Sequence, residues 1–466
     1  MEGTKNKRNR LIWNTALKSA LILLCSGICS KSIDFCFKAY YSRKLGAEGM
    51  GLYSLVFDLS GIFVMLCNAG LGTAIAKIVS ENVETKNFAM IKKCMDTSLK
   101  IVCSMGALII IFVSIFSGTI AENILGDNRA KTCIIFVIPS VLFMGIASCI
   151  KGYFYAFRKV KVPASSELIE QAVKVMTITY FLNQFYSENI VLRCISVCLG
   201  FTIGELSSCL YLLIFYRLDI NKYVNLCKVK EFYINSGVMF RKLMAVSVPT
   251  LFSSFITSTL VMQEGVWVVS GLVKFGFEYG DALSKLGIFD GMLMPLLGFP
   301  LMITGSVFAL LVPEISRANA LDSQIRLKML ISKLYSVGFM IGSFVALCYI
   351  IFADFLCITI YNNADMIYFL RIFSFLLPLM FIESISVAVL NGMGLQKEIL
   401  IYNILDSAYR LAVVFFLIPV VGIYGMVAMI LGSNILTTAL CFFTVCFKVG
   451  FLPAKIGSLK RRVGRT

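Results

Sequence analysis

Residues 13 to 49 read WNTALKSALILLCSGICSKSIDFCFKAYYSRKLGAEG. The part from Trp13 to Tyr41 is largely apolar. It is long enough to cross hydrocarbon as a helix, which takes about 20 residues. It nevertheless carries Lys18, Lys31, Asp34 and Lys38, and it runs at once into Arg43, Lys44 and the turn Gly46-Ala47-Glu48-Gly49. A charge at bilayer depth costs at least about 2.5–3.5 kcal/mol on insertion scales, so intramembrane cations are rare and usually face a polar cavity. Lys31 and Lys38 are close to two helical turns apart, which places them on one face. A membrane helix of this kind points to a protein that handles something anionic.

The same reading extends along the chain. The 466 residues have a mean hydropathy of +0.85 and are 58% hydrophobic. Twelve stretches have spanning length: 14–37, 50–70, 97–117, 132–155, 165–185, 190–215, 243–262, 286–312, 331–352, 366–391, 400–418 and 421–447. The expected fold is all-α, a polytopic membrane protein of about twelve helices in two six-helix lobes. The basic start (Lys5, Lys7, Arg8, Arg10) before an apolar run imitates a signal peptide. Lys18 interrupts that run and no small-residue cleavage site follows, so it is read as a retained first span.

A net charge of +17 invites a nucleic-acid reading, but the charges are distributed by topology. With the N-terminus inside, thirty Lys and Arg fall in the cytoplasmic segments 1–12, 75–100, 151–163, 217–242, 313–333, 392–398 and 448–466. The opposite side has seven: Lys38, Arg43, Lys44, Arg129, Lys131, Lys274 and Lys285. That bias sets orientation. Both termini are therefore expected in the cytoplasm, in the cell membrane, with no nucleic-acid partner. The sixteen Cys lie mostly inside spans without CxxC pairing, where thiols behave as small buried hydrophobes. Neither a disulfide framework nor a metal site is expected. The chain has no His, hence none of the usual neutral-pH proton switches.

The polar connection 217–242 divides the spans six and six. The expected organisation is an N-terminal lobe (1–216), a cytoplasmic linker (217–242) and a C-terminal lobe with a basic tail (243–466). An internal repeat supports it. Lys161, Glu170 and Lys174 have the spacing of Lys397, Asp406 and Arg410, 236 positions further on. Ala74 to Glu81, closing the second span, resembles Ala309 to Glu314, closing the eighth. Transporters built from such parallel repeats bind substrate between the halves.

Glu170/Lys174 and Asp406/Arg410 are acid–base pairs at i,i+4, each sharing a helix face. Each lies roughly 10 to 16 Å along its helix from the cytoplasmic end. Self-neutralisation and lining of a cleft are equally weighted readings of these pairs. Lys31 is deep enough to be a ligand-binding cation, with Asp34 three residues on as a partner. Lys38 and Arg43 are also within reach of the outer interface, to which long basic chains snorkel. Asp34, Glu264 and Asp290 are candidates for a coupling ion. Gly70-Leu71-Gly72-Thr73-Ala74 ends a membrane helix with no strand before it, so it is no nucleotide loop.

Several motifs resemble one family. They are Ser30-Lys31, Phe35, Lys38, Ser42-Arg43, Leu45 to Gly49 and Gly51-Leu52-Tyr53; Asn68-Ala69-Gly70 through Glu81; Gly152-Tyr153 through Ile169-Glu170-Gln171 and Lys174; Leu311 to Ser316; and Leu390 to Gly394 with Lys397. Together they are similar to stage V sporulation protein B-like transporters, of the polysaccharide-flippase branch of the multidrug/oligosaccharidyl-lipid/polysaccharide exporter superfamily. That resemblance implies a V-shaped pair of lobes with alternating access. It implies transport of a polyprenyl-pyrophosphate-linked oligosaccharide or peptidoglycan precursor between leaflets. It places a basic residue of the family at Lys31. Many members of this family have fourteen helices, the last two serving the lipid tail, whereas twelve are expected here.

The resulting expectation is a flippase, with Lys31 and Lys174 holding head-group phosphates and Lys38, Arg43 and Arg410 assisting. Glu170 and Asp406 complete the cleft. Its partners are the lipid-linked glycan and membrane lipids, with no cofactor, and a monomer is expected. The alternative is a cation-coupled multidrug exporter of the same superfamily. A membrane enzyme would need a sizeable catalytic loop or clustered carboxylates for metal, and the longest outer loops are only 118–131 and 271–285.

Overall fold

The structure, a computed structural model, describes residues 2–68, 70–85, 87–184, 189–226, 236–309, 315 and 324–450. The elements are α1 (Glu2–Asn68), α2 (Leu71–Glu84), α3 (Phe88–Thr119), α4 (Ala130–Val137), α5 (Pro139–Ala156), α6 (Lys161–Gln184), α7 (Ile190–Leu226) and α8 (Ser236–Phe275). They continue with α9 (Tyr279–Leu286), α10 (Met294–Ala309), α11 (Gln324–Ile351), α12 (Met366–Ser374), α13 (Leu377–Gly392), α14 (Gln396–Phe416) and α15 (Ile423–Val449). An all-helical chain is what hydrocarbon permits, because each helix satisfies its own backbone groups. Among the described residues, nine helices are long and apolar enough to cross a membrane, or ten if the bent pair α12–α13 is one span. Length and composition therefore do not reach the expected twelve. The first two expected spans fall in one 59-residue apolar stretch, Cys25–Val83. The expected span 165–185, in α6, is not among the nine and carries Glu167, Glu170 and Lys174.

α1 is two helices meeting at Gly46, whose φ of 76° and ψ of 177° are non-helical. Only glycine takes that conformation without a Cβ clash, so the expected turn at Gly46 is where the chain reverses. The expected span 132–155 is also broken, at Pro139, into α4 and α5. A proline ring interrupts the ladder there. The hydroxyl of Thr202 donates to the Phe136 carbonyl at 2.7 Å, beside the break. The second half has its own broken pair, α12 and α13, bent by 54° ahead of Pro378.

Backbone hydrogen bonds reveal the repeat more sharply than the side chains do. Residues Ile120–Leu125 and Leu356–Ile360 are both π-helical turns. After the first, the Asp127 amide donates to the Ala121 carbonyl at 2.9 Å around Gly126 (φ 73°); after the second, Asn363 donates to Cys357 at 3.1 Å around Asn362 (φ 52°). The next amides match too: Arg129 donates to Asp127 Oδ1, and Asp365 to Asn363 Oδ1, both at 2.9 Å. At the following helix end, Lys159 donates to the Phe154 carbonyl around Arg158 (φ 57°), and Leu395 to Leu390 around Gly394 (φ 76°), both at 2.9 Å. These last two are C-terminal caps that need a left-handed residue. Each member of every pair lies 236 positions from its counterpart, the offset of the charged triples.

The chain forms two compact units. One is Met1–Val269 with Glu278–Met292; the other is Ser270–Phe277 with Leu293–Thr466. In the first, Met50, Leu52, Leu55, Leu71 and Ile75 are fully buried. Gly51 and Gly287 let the second half of α1 and the α9 region approach backbone to backbone. A Cβ at Gly287 would meet the Ala47 carbonyl, and one at Gly51 the Leu283 carbonyl. Small residues at such crossings are how membrane helices gain packing contacts. In the second unit, Leu327 and Ile331 of α11, Ile385, Val389 and Leu390 of α13 and Val445 of α15 form one apolar cluster.

Arg158 is exposed and left-handed where its counterpart is Gly394. A left-handed non-glycine residue costs about 1–2 kcal/mol. Arg158→Gly is therefore expected to raise the thermal unfolding midpoint of the purified protein in detergent, while Gly394→Arg lowers it.

Candidate functional site

The first unit contains a cavity of about 660 Å³. Its floor begins where α1 ends: Gly70, left-handed at φ 67°, separates α1 from α2. Gly72 and Gly152 then bring α2 and α5 into contact, since a Cβ on Gly72 would fall 2.7 Å from Ser148 Oγ. The walls carry Lys31 from α1, Lys151 and Tyr155 from α5, Glu167 and Glu170 from α6 and Glu205 from α7. Lys31 is exposed into this space, and among the described residues it makes no ion pair.

The two other lysines of this region are paired. Lys151 Nζ is 3.2 Å from Glu167 Oε1, with side chains 23% and 33% exposed. Lys174 Nζ is also 3.2 Å from Glu170 Oε1, but those side chains are only 8% and 13% exposed. Lys174 lies flat against Gly204, whose added Cβ would be 3.1 Å from Lys174 Cβ, and its ammonium stands 4.5 Å from the Phe201 ring centre. A cation over an aromatic face is held by the ring quadrupole. The wall residues thus include Lys31 and Glu170 but not Lys174, which is packed behind Glu170. The cavity is not the one-sign basic pocket that the first helix suggests: Glu167, Glu170 and Glu205 face Lys31 and Lys151.

A second group of charges gathers around Lys38. Its ammonium is 5.9 Å from the Tyr53 ring centre, and Tyr41 donates to Tyr53 Oη at 3.2 Å. Asp34, Asp58 and Asp290 are all within electrostatic reach of Lys38. Asp58 in turn is within reach of Asp290 and Glu264. Asp34 and Asp290 therefore gather around Lys38 from distant parts of the sequence, and Glu264 joins them through Asp58. Among the described residues Asp34 makes no ion pair with Lys31; it stands one helical turn from Lys38 instead. Arg43 is exposed beyond this group.

Sequence reasoning missed Asp58, Lys151 and Glu167 as site residues. Each had the available signal, a charged residue inside an apolar stretch. Lys151 had been counted with the cytoplasmic loop, and Asp58 and Glu167 lacked an i,i+4 partner.

Asp406 and Arg410 lie in α14 of the second unit. Ser433 Oγ donates to Asp406 Oδ1 at 2.5 Å, and one turn further along α15 the Thr437 hydroxyl donates to the Ser433 carbonyl at 3.0 Å. The counterpart of Glu170 thus accepts a hydroxyl hydrogen bond from α15.

Ion pairs outside the spans staple the first unit's ends. Arg129 donates to Glu48 Oε1 at 2.7 Å and to Asp127 Oδ2 at 2.9 Å, tying the Gly46 turn to the α4 start. Those carboxylates hold the guanidinium protonated even more firmly than usual. At the other end Lys159 Nζ is 2.5 and 2.6 Å from the two oxygens of Asp219, which also accepts from Tyr153 Oη at 3.1 Å.

Comparison with known proteins follows the same lines. The family described as polysaccharide biosynthesis protein matches residues 16–319. Stage V sporulation protein B of Bacillus subtilis (strain 168) is 27% identical over 388 residues, which are 82% of this chain and 73% of that protein. Lipid II flippase MurJ of the same organism is 20% identical over 187 residues, 38% of this chain and 34% of its own. An inward-facing structure of a multidrug resistance MATE family transporter of the MOP superfamily matches with a TM-score of 0.72 at 15% identity, covering 93% of this chain and 98% of that one. At such identity the likeness establishes the fold.

Removing one partner of a buried ion pair costs about 3–5 kcal/mol, whereas an exposed pair contributes about 0–1 kcal/mol. Lys174→Ala is expected to destabilise the folded protein strongly. Arg371→Ala, which breaks the exposed pair with Asp354 (50% and 57% exposed), is expected to change stability little. Unfolding midpoints in detergent compare the two.

Proposed function

The chain belongs to the polysaccharide biosynthesis protein family, and from that premise we propose that it is a flippase for a polyprenyl-pyrophosphate-linked oligosaccharide or peptidoglycan precursor. The observation that carries this reading is Lys31. It is a cation inside an apolar helix, on a cavity wall, with no ion pair among the described residues. Such a residue raises the cost of insertion unless an anion or water meets it. A pyrophosphate is a strong candidate, because an ammonium makes short, charge-assisted hydrogen bonds to phosphate oxygens.

The steps assigned to this chain are binding and release, not bond making. From the cytoplasmic side, Lys31 takes the head-group phosphates while the cavity's hydroxyls, amides and carboxylates accept the sugar. The polyprenyl tail stays in lipid. The six-helix halves 1–216 and 243–466, joined by 217–242, open alternately to the two sides of the cytoplasmic membrane, with both termini inside. Lys174 supports the site by fixing Glu170, and Lys38 and Arg43 offer further cations towards the outer side. The carboxylates around Lys38, namely Asp34, Asp58, Glu264 and Asp290, are the proposed place for a coupling cation. Asp406 and Arg410 are the second half's own proposed substrate-binding pair.

A cation-coupled multidrug exporter is the second reading. The carboxylates of the cavity favour it, since Glu167, Glu170 and Glu205 suit a cationic drug. Lys31 opposes it.

Proteoliposomes loaded with a fluorescent polyprenyl-pyrophosphate glycan distinguish the two. Wild-type protein is expected to move the lipid between leaflets, and Lys31→Ala to slow that movement about tenfold or more, the loss expected for a charge-assisted hydrogen bond. Movement by Lys31→Ala at the wild-type rate, in protein shown to be folded, overturns the assignment. Efflux of a cationic dye without lipid movement favours the exporter.

A further inference from the structure

Two ion pairs in the first unit have the same length and different surroundings. Lys174–Glu170 is sealed: its side chains are 8% and 13% exposed, and the ammonium is covered by Phe201. Lys151–Glu167 is open: its side chains are 23% and 33% exposed, and both residues stand on the cavity wall. A sealed pair is broken only by leaving a buried charge uncompensated. A half-buried pair that opens onto a cavity is held less firmly than a sealed one, towards the weak end set by exposed pairs at about 1 kcal/mol or less.

We infer that Lys151–Glu167 is an exchangeable latch, in which the pyrophosphate of the proposed substrate takes the place of the Glu167 carboxylate on Lys151. The inference rests on the proposed function, because it assigns a second phosphate-binding cation to that cavity. The exchange is favourable for three reasons. A pyrophosphate carries more charge than a carboxylate and offers more acceptor oxygens to an ammonium. Lys31, on another wall of the same space, attracts the same group and lets it be held from two sides. Glu167, a third exposed on the cavity wall, can turn its carboxylate into the cavity once displaced. In the empty state Glu167 keeps Lys151 paired, so the cavity carries no second uncompensated ammonium through the membrane. Glu167 is then a competitor for the site, and Lys151 a binding residue.

This division of roles predicts changes of opposite sign. The probe is undecaprenyl diphosphate, bound to the full-length protein in detergent, with its dissociation constant read by intrinsic fluorescence or calorimetry. Glu167→Gln removes the competing charge and keeps the shape, so binding is expected to tighten about two- to fivefold, the worth of an exposed ion pair. Lys151→Gln is expected to weaken binding about tenfold. In the Lys151→Gln background, Glu167→Gln is expected to have no further effect, because the coupling between the two has gone. A purely structural pair gives a different pattern: both single variants then lower the unfolding midpoint and leave affinity unchanged or weaken it together, and that result overturns the latch. Lys31→Ala separates this from the parent reading. Weakened binding in Lys31→Ala, with no gain in Glu167→Gln, removes the latch and keeps the flippase. Wild-type binding in both Lys31→Ala and Lys151→Gln removes the cavity as the diphosphate site. No binding of the probe by the wild type removes both.

Discussion

A charge inside hydrocarbon has three tolerable fates: a partner, an aromatic face, or a wet cavity. The charges of this chain are distributed over all three, and its architecture follows from that. Lys174 has the first two, from Glu170 and Phe201. Lys151 has a partner and a cavity. Lys31 has the cavity alone among the described residues. The helices are brought into position by small residues rather than by the charges themselves. Gly204 admits the Lys174 stem, Gly72 admits Ser148, and Gly152 admits the backbone of Gly72. Because hydrocarbon supplies no hydrophobic drive between helices, such close approach is what holds the walls in place.

The repeat shows which features of an ancestral half were backbone and which were chemistry. Turns, π-helical ends and left-handed caps recur at a constant offset, down to the same amide–carbonyl pairs. Backbone geometry of this kind is set by local sterics and tolerates few residue types, with Gly126 facing Asn362 and Arg158 facing Gly394. The side chains drifted. Glu170 holds an ammonium while Asp406 holds a hydroxyl, and the Lys159–Asp219 staple has Leu395 at the place of its lysine.

Much of this was legible in one dimension. Apolar stretches of spanning length, the Lys and Arg asymmetry and the twice-used charged triple gave an all-helical membrane protein with an internal repeat. Lys31 was legible as a candidate, because a cation within an apolar run has few explanations, and it lines the cavity. The number of separate spans was less legible. The Gly46 turn is so short that a test of length and composition merges Cys25–Val83 into one stretch, although the sequence around it reads as two spans. α6 holds too many charges to pass a test of length and composition, and two of them, Glu167 and Glu170, line the cavity. Asp34 was read as a possible partner for Lys31 from a spacing of three, and it lies within electrostatic reach of Lys38, one turn further along the same helix.

The sequence by itself determined the class of molecule, its repeat and the charged residue types carried within its apolar stretches. These depend on totals and periods, which hydropathy and helical geometry translate directly. The tertiary structure decided which lysine is open and which is sealed. Lys31, Lys151 and Lys174 are alike as letters. Their different roles come from Phe201, Gly204, Glu167 and Glu205, brought to them from other helices across intervals that no periodicity in the chain encodes.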